Sequence, residues 1–79
     1  FTKNSRIILG MKEILAKRIK NIRQENNLTQ SQFGEKLSVS QDNVSLWENG
    51  KSLPTAEQII NICKLFNVTA DYLLGLTEY

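Results

Sequence analysis

The feature that most constrains this chain is a pair of potential helix caps eleven residues apart, Thr29 and Ser40, each opening a short amphipathic run. A Thr or Ser hydroxyl just ahead of a helix accepts from amides of the first turn that have no intrahelical partner, so both residues mark helix starts. After Thr29 the spacing predicts a helix from Gln30 to about Leu37, with Phe33 and Leu37 on one face at i, i+4. Ser38-Val39-Ser40 leaves room only for a tight corner. Ser40 then opens a second helix from Gln41 to about Asn49, in which Val44 and Trp47 face inward at i, i+3 and Gly50 stands where a left-handed terminator is needed. Two short helices, a corner and a shared apolar seam describe a helix-turn-helix.

In that arrangement Gln41, Asp42, Ser45 and Leu46 point away from the Val44/Trp47 side of the second helix. A helix with a slim outer face fits the major groove of B-DNA, where each base pair presents a distinct donor and acceptor pattern. These four residues are therefore the candidate base readers. A Gln opening such a helix can make a bidentate contact with adenine, worth roughly 1–3 kcal/mol of discrimination. Asp42 would accept from a cytosine amino group, or exclude some sequences by repulsion. Trp47 invites a stacking role, but its spacing from Val44 makes it a core residue.

Charge supports a polyanionic partner through its distribution more than its total. Residues 1–51 carry nine Lys/Arg against five Asp/Glu, and residues 52–79 carry one against three. The basic part thus contains the helix-turn-helix, as phosphate neutralisation requires. Seventy-nine residues make one small domain of marginal core, in which caps and self-association matter. One cysteine and no histidine leave no internal disulfide, no metal set and no group for nucleophilic or acid–base work, so no enzyme and no cofactor is expected. No apolar run is long enough to span a membrane and no signal-peptide pattern is present, so the expected location is the cytoplasm, at the nucleoid.

Elsewhere the chain reads as three more helices. The first runs from about Lys12 to Asn26, burying Leu15, Ile19 and Ile22, with Leu28 closing the turn and Lys12, Lys17, Arg18 and Lys20 as a solvated face. Residues 1–10 are either an N-terminal arm or a cloning remnant. Their β-prone Ile7-Ile8-Leu9 could pack on the body or on another chain, and Lys3 and Arg6 could reach into DNA. Residues 11–79 are the domain proper. Gly50 and Pro54 bracket a loop, and Thr55 caps a fourth helix with Ala56, Ile59, Ile62, Cys63 and Phe66 facing inward. Cys63 is read as a small buried hydrophobe. Asn67 suits a left-handed terminator, and Thr69 caps a short fifth helix from Ala70 to Leu74, ended by Gly75. Ile60, Leu65, Tyr72, Leu74, Leu76 and Tyr79 exceed what one small core can bury, so part of this surface is expected to meet a second copy.

Taken together, Leu28-Thr29-Gln30, Val39-Ser40-Gln41, Val44-Ser45, Trp47-Glu48-Asn49-Gly50-Lys51 and Pro54 resemble the phage repressor and Cro-type (XRE-like) helix-turn-helix DNA-binding domains, over roughly Ile19 to Leu74. The resemblance implies an all-α fold, a compact five-helix bundle of the lambda-repressor-like type with the motif at helices 2 and 3. It implies an ion pair between Arg23 and Glu48, and sugar-phosphate contacts from Gln30, Ser40, Asn43, Asn49 and Lys51, with Gln30 also buttressing Gln41. Gly34 stands where the family carries a small residue at a close helix crossing, and Ser38 where many members carry a left-handed glycine. The function implied is a bacterial or phage transcriptional regulator, expected to be a repressor. It would bind a near-palindromic operator on double-stranded DNA as a homodimer joined near Tyr72, Leu74, Leu76 and Tyr79. The alternative is a protein-interaction module or antitoxin-type partner on the same fold.

Overall fold

The computed structural model describes the backbone of residues 2–78 and the side chains of residues 10–78. Tyr79, one of the candidate self-association residues, and the side chains of Lys3 and Arg6 lie outside that range. Five helices follow one another: α1 (Thr2–Glu25), α2 (Gln30–Leu37), α3 (Gln41–Glu48), α4 (Ala56–Phe66) and α5 (Ala70–Leu73). No strand occurs among the described residues, and the fold is the all-α five-helix arrangement with the helix-turn-helix at α2 and α3.

Local side-chain chemistry sets most of the helix starts. Thr29 Oγ1 accepts from Gln32 N at 3.1 Å while Gln32 Oε1 accepts from Thr29 N at 2.9 Å, a reciprocal capping box. Thr55 and Gln58 repeat it at 3.1 and 2.7 Å. Ser40 and Thr69 cap α3 and α5 through Asn43 N and Tyr72 N. The ends rely on left-handed residues, Asn27 at φ 56°, Ser38 at φ 60° and Asn67 at φ 55°.

α1 differs from its expected bounds at both ends. It begins at Thr2 rather than Lys12, so the β-prone Ile7-Ile8-Leu9 is helical backbone. It stops at Glu25, where the left-handed Asn27 lets Leu28 N donate back to the Arg23 carbonyl at 3.1 Å.

One core joins the helices: Leu15, Ile19 and Ile22 from α1, Phe33 and Leu37 from α2, Val44 and Trp47 from α3, Ile62 from α4 and Leu73 from α5. Phe33 stacks on Phe66, ring centroids 5.0 Å apart and 16° from parallel, tying α2 to α4. Ile59, Cys63 and Phe66 pack on this core while remaining partly exposed, whereas Ala56, expected inside, faces solvent. Burial pushes the Cys63 thiol above its ordinary pKa, partly offset by a backbone hydrogen bond.

Arg18 is the residue whose surroundings depart most from the sequence reading. Its Nη1 donates to the carbonyls of Tyr72 at 2.8 Å and Thr77 at 2.9 Å. Its guanidinium also lies 4.2 Å from the Tyr72 ring centroid. It therefore fastens the C-terminal segment to α1 instead of standing in water with the neighbouring lysines. Only carbonyls more than fifty residues away could reveal this. At the same place Gly75, with φ 79°, comes so close to α1 that an added Cβ would sit 2.7 Å from Ile14 Cγ2.

The corner between α2 and α3 is equally tight. A Cβ on Gly34 would lie 2.6 Å from the Val39 carbonyl oxygen, so any side chain there forces the corner to move. Ser38 terminates α2 at φ 60°, ψ 39°, in the αL region, where an L-residue bears a strain of about 1–2 kcal/mol. Ser38→Gly removes that strain but adds flexibility to the unfolded chain. The expected net result is a gain of up to about 1 kcal/mol, read as a rise of several degrees in Tm. A lowered Tm would mean that the strain at Ser38 is smaller than the entropy that glycine adds to the unfolded chain.

Candidate nucleic-acid interface

α3 is short and its two faces are sharply divided. Val44 and Trp47, 0% and 3% exposed, anchor it to the core. Gln41, Asp42 and Leu46 are exposed and Ser45 is half-buried, so the four candidate base readers share the outward side. Asp42 in the first turn is favourably placed against the positive end of the helix dipole, which gives it a local structural role whatever it meets outside.

The inner end of α3 is held by a charged cluster. Arg23 Nε donates to Glu48 Oε2 at 2.7 Å and Arg23 Nη2 to Glu48 Oε1 at 3.0 Å, a two-pronged pair. Arg23 Nη1 also donates to the Leu28 carbonyl at 2.9 Å. The side chains are 14% and 4% exposed, so the pair is largely removed from water. The hydrogen bond to Glu48 raises the Arg23 pKa above its ordinary value, against a smaller lowering by burial. One guanidinium thus joins α1, the chain leading into α2 and the last turn of α3.

Among the expected backbone-contacting residues, Gln30 departs from the expected buttressing of Gln41. Its Nε2 donates to Glu48 Oε1 at 3.2 Å, so it supports the Arg23–Glu48 cluster rather than Gln41. Ser40, Asn43, Asn49 and Lys51 are exposed at the two ends of α3. Asn49 folds back, its Nδ2 donating to Ser45 O at 2.9 Å and Ser45 Oγ at 3.3 Å. The structure therefore brings together Gln41, Asp42, Ser45, Leu46 and the flanking Ser40, Asn43, Asn49 and Lys51 on and around one helix. Tyr72, Leu74 and Leu76 belong to a separate region at the C-terminal end. There Tyr72 and Leu74 are half-buried, while Leu76 is 71% exposed.

The model of the helix-turn-helix family matches residues 19–73, which includes the last seven residues of α1 and all four helices that follow. The chain belongs to the helix-turn-helix family. Members of this class are DNA-binding regulators rather than enzymes. The domain is 38% identical over 64 residues to the HTH-type transcriptional regulator ImmR of Bacillus subtilis, covering 81% of this chain and 50% of ImmR. It is 43% identical over 61 residues to the transcriptional activator BcrR of Enterococcus faecalis, covering 77% of this chain and 30% of BcrR. The antitoxin PezA of Streptococcus pneumoniae is 36% identical over 62 residues, covering 78% of this chain and 39% of PezA. The helix-turn-helix chain thus spans half or less of the length of these relatives. In fold it is similar to the crystal structure of the hypothetical transcription factor NHTF from Neisseria, with a TM-score of 0.74 at 19% identity, over 81% of this chain and 74% of that one. No described helix is long and apolar enough to cross a membrane.

Proposed function

We propose that this helix-turn-helix domain is the operator-reading part of a cytoplasmic transcriptional repressor acting at the nucleoid. It would bind double-stranded DNA as a homodimer, with α3 in the major groove. The observation that carries this reading is the division of α3: two core anchors fix its inner side while Gln41, Asp42, Ser45 and Leu46 occupy the free one. Gln41, Asp42, Ser45 and Leu46 are assigned to base edges, and Gln30, Ser40, Asn43, Asn49 and Lys51 to the sugar-phosphate chain. Gln30 can serve there without leaving Glu48, because its side-chain oxygen and backbone amide remain for other partners. The excess of cations in residues 1–51 favours a polyanionic partner and comes from α1, since residues 29–51 carry Lys36 and Lys51 against Glu35, Asp42 and Glu48.

Self-association through the C-terminal region rests on Leu76, since Tyr72 is already occupied by Arg18. Two-fold symmetry would set two α3 helices roughly 34–36 Å apart, one DNA turn, and would require a near-palindromic operator. Sedimentation that finds only monomers, both free at high concentration and on DNA, would remove this part of the reading.

Selection of bound duplexes from a random pool tests the base readers. The wild type is expected to enrich one near-palindromic sequence, and Gln41→Ala and Leu46→Ala are each expected to change the enriched bases at their own positions. Lys51→Ala should instead weaken every sequence alike and lower the slope of log affinity against log salt by about one unit. The sign of regulation depends on where the operator lies relative to a promoter, so a reporter assay with the selected site separates repressor from activator. The similarity to PezA supports a second reading, in which the domain serves a protein partner and DNA is secondary. Failure to enrich any sequence, with retained binding to a partner protein, would favour it.

A further inference from the structure

We infer that Asn49 is a specificity-determining positioning residue, which biases toward donation the hydrogen bond that Ser45 offers to a base. This rests on the proposed reading of α3 as the groove-entering helix. A serine hydroxyl can donate or accept, so on its own it discriminates little between base edges. Here the balance is shifted from within the protein. Asn49 lies one turn after Ser45, and its Nδ2 donates to the Ser45 carbonyl at 2.9 Å. A carbonyl oxygen can only accept, so that bond fixes which end of the Asn49 amide faces Ser45. The same nitrogen reaches Ser45 Oγ at 3.3 Å and donates to it. That bond takes up one of the hydroxyl's two lone pairs, leaving one lone pair and the proton for a base. Among the described residues, Ser45 Oγ donates to no protein acceptor. The half-buried Ser45 hydroxyl therefore meets the groove with its proton free and its accepting capacity halved, next to Gln41 and Asp42, which are exposed one turn before it.

In the major groove a donor pairs with purine N7, guanine O6 or thymine O4, and it is mismatched against the amino group of cytosine. Asn49 would thus control one base step through Ser45, and any phosphate contact of its own would be additional to this.

The experiment is selection from a random duplex pool, followed by affinities for single-base variants of the selected site. It compares wild type, Asn49→Ala, Asn49→Asp, Ser45→Ala and the Ser45→Ala/Asn49→Ala double variant, with circular dichroism as a check on folding. Wild type is expected to favour an acceptor edge at one step by roughly three- to tenfold, the range of one net hydrogen bond. Asn49→Ala should lose that preference while the other positions keep theirs. Asn49→Asp, which can accept the Ser45 proton but cannot donate, should lose the preference or turn it toward cytosine. In the Ser45→Ala background, adding Asn49→Ala should change nothing at that step. A uniform loss of affinity in Asn49→Ala with every base preference intact would make Asn49 a phosphate contact only and overturn the inference. Retention of the acceptor preference in Asn49→Asp would also overturn it. A wild type that selects no sequence would overturn the DNA-reading proposal itself, and this inference with it.

Discussion

Glu48→Ala should lower the stability of the domain by about 3–5 kcal/mol, and Arg23→Ala by a similar amount. In a domain of this size that is a fall of well over 10 °C in Tm. The magnitude comes from what each substitution leaves behind. Glu48 is 4% exposed and takes two hydrogen bonds from Arg23 and one from Gln30. Removing it strands a guanidinium that is 14% exposed and has only the Leu28 carbonyl left to it. Removing Arg23 strands a carboxylate in the same pocket. A double-mutant cycle should show strong coupling, with the pair of substitutions costing much less than the sum of the two. Additive losses would mean that the two groups do not depend on each other. The raised Arg23 pKa fixes the pH behaviour on the alkaline side. A cation whose folded pKa lies above its unfolded one contributes fully below the unfolded value, and that contribution is lost only as pH rises through the folded one. The difference in Tm between wild type and Arg23→Ala should therefore stay constant between about pH 7 and 10.

Phe33→Ala is expected to be at least as damaging. The ring is 0% exposed at the junction of α2 with the rest of the core and stacks on Phe66 at 5.0 Å. Truncating a buried phenylalanine costs about 3–5 kcal/mol through lost transfer energy and the cavity left behind. Loss of the aromatic pair adds roughly 0.5–1.5 kcal/mol. The summed loss exceeds that of Glu48→Ala, so Phe33→Ala should melt further below wild type than that variant does, as read by circular dichroism. Phe33→Leu, which keeps most of the volume, should fold with a reduced Tm. Near-wild-type melting of Phe33→Ala would show that the junction can collapse around the gap.

Helices α2 to α5 were legible because their starts are written locally. Thr29, Ser40, Thr55 and Thr69 each accept from an amide three residues on, an interaction that sequence spacing alone reveals. The ends were less sharp, α3 and α5 each stopping one residue earlier than expected. The start of α1 was not legible, since no cap or proline marks the passage through Gly10 and β-branched residues argued against helix. Long-range polar contacts were hidden for a different reason. Arg18 shares its helix with Lys12, Lys17 and Lys20, read as having the same character, and only the folded chain brings the Tyr72 and Thr77 carbonyls to it. Gln30 and Asn49 were both expected on phosphates. Their hydrogen bonds to Glu48 and Ser45 depend on rotamers that spacing does not determine. The outward set on α3 was readable because Val44 and Trp47 fix the rotation of the helix, and every other position then follows from the 100° step.

The most direct test of the account is backbone amide chemical-shift mapping during titration with the selected duplex. The largest changes should fall on Thr29 and Gln30 and on Ser40 to Leu46, with a further group near Lys51, while the amides of α4 away from any dimer contact stay nearly still. Perturbations confined to α4 and α5, with Gln41 to Leu46 unmoved at saturation, would contradict the claim that the exposed side of α3 meets the DNA.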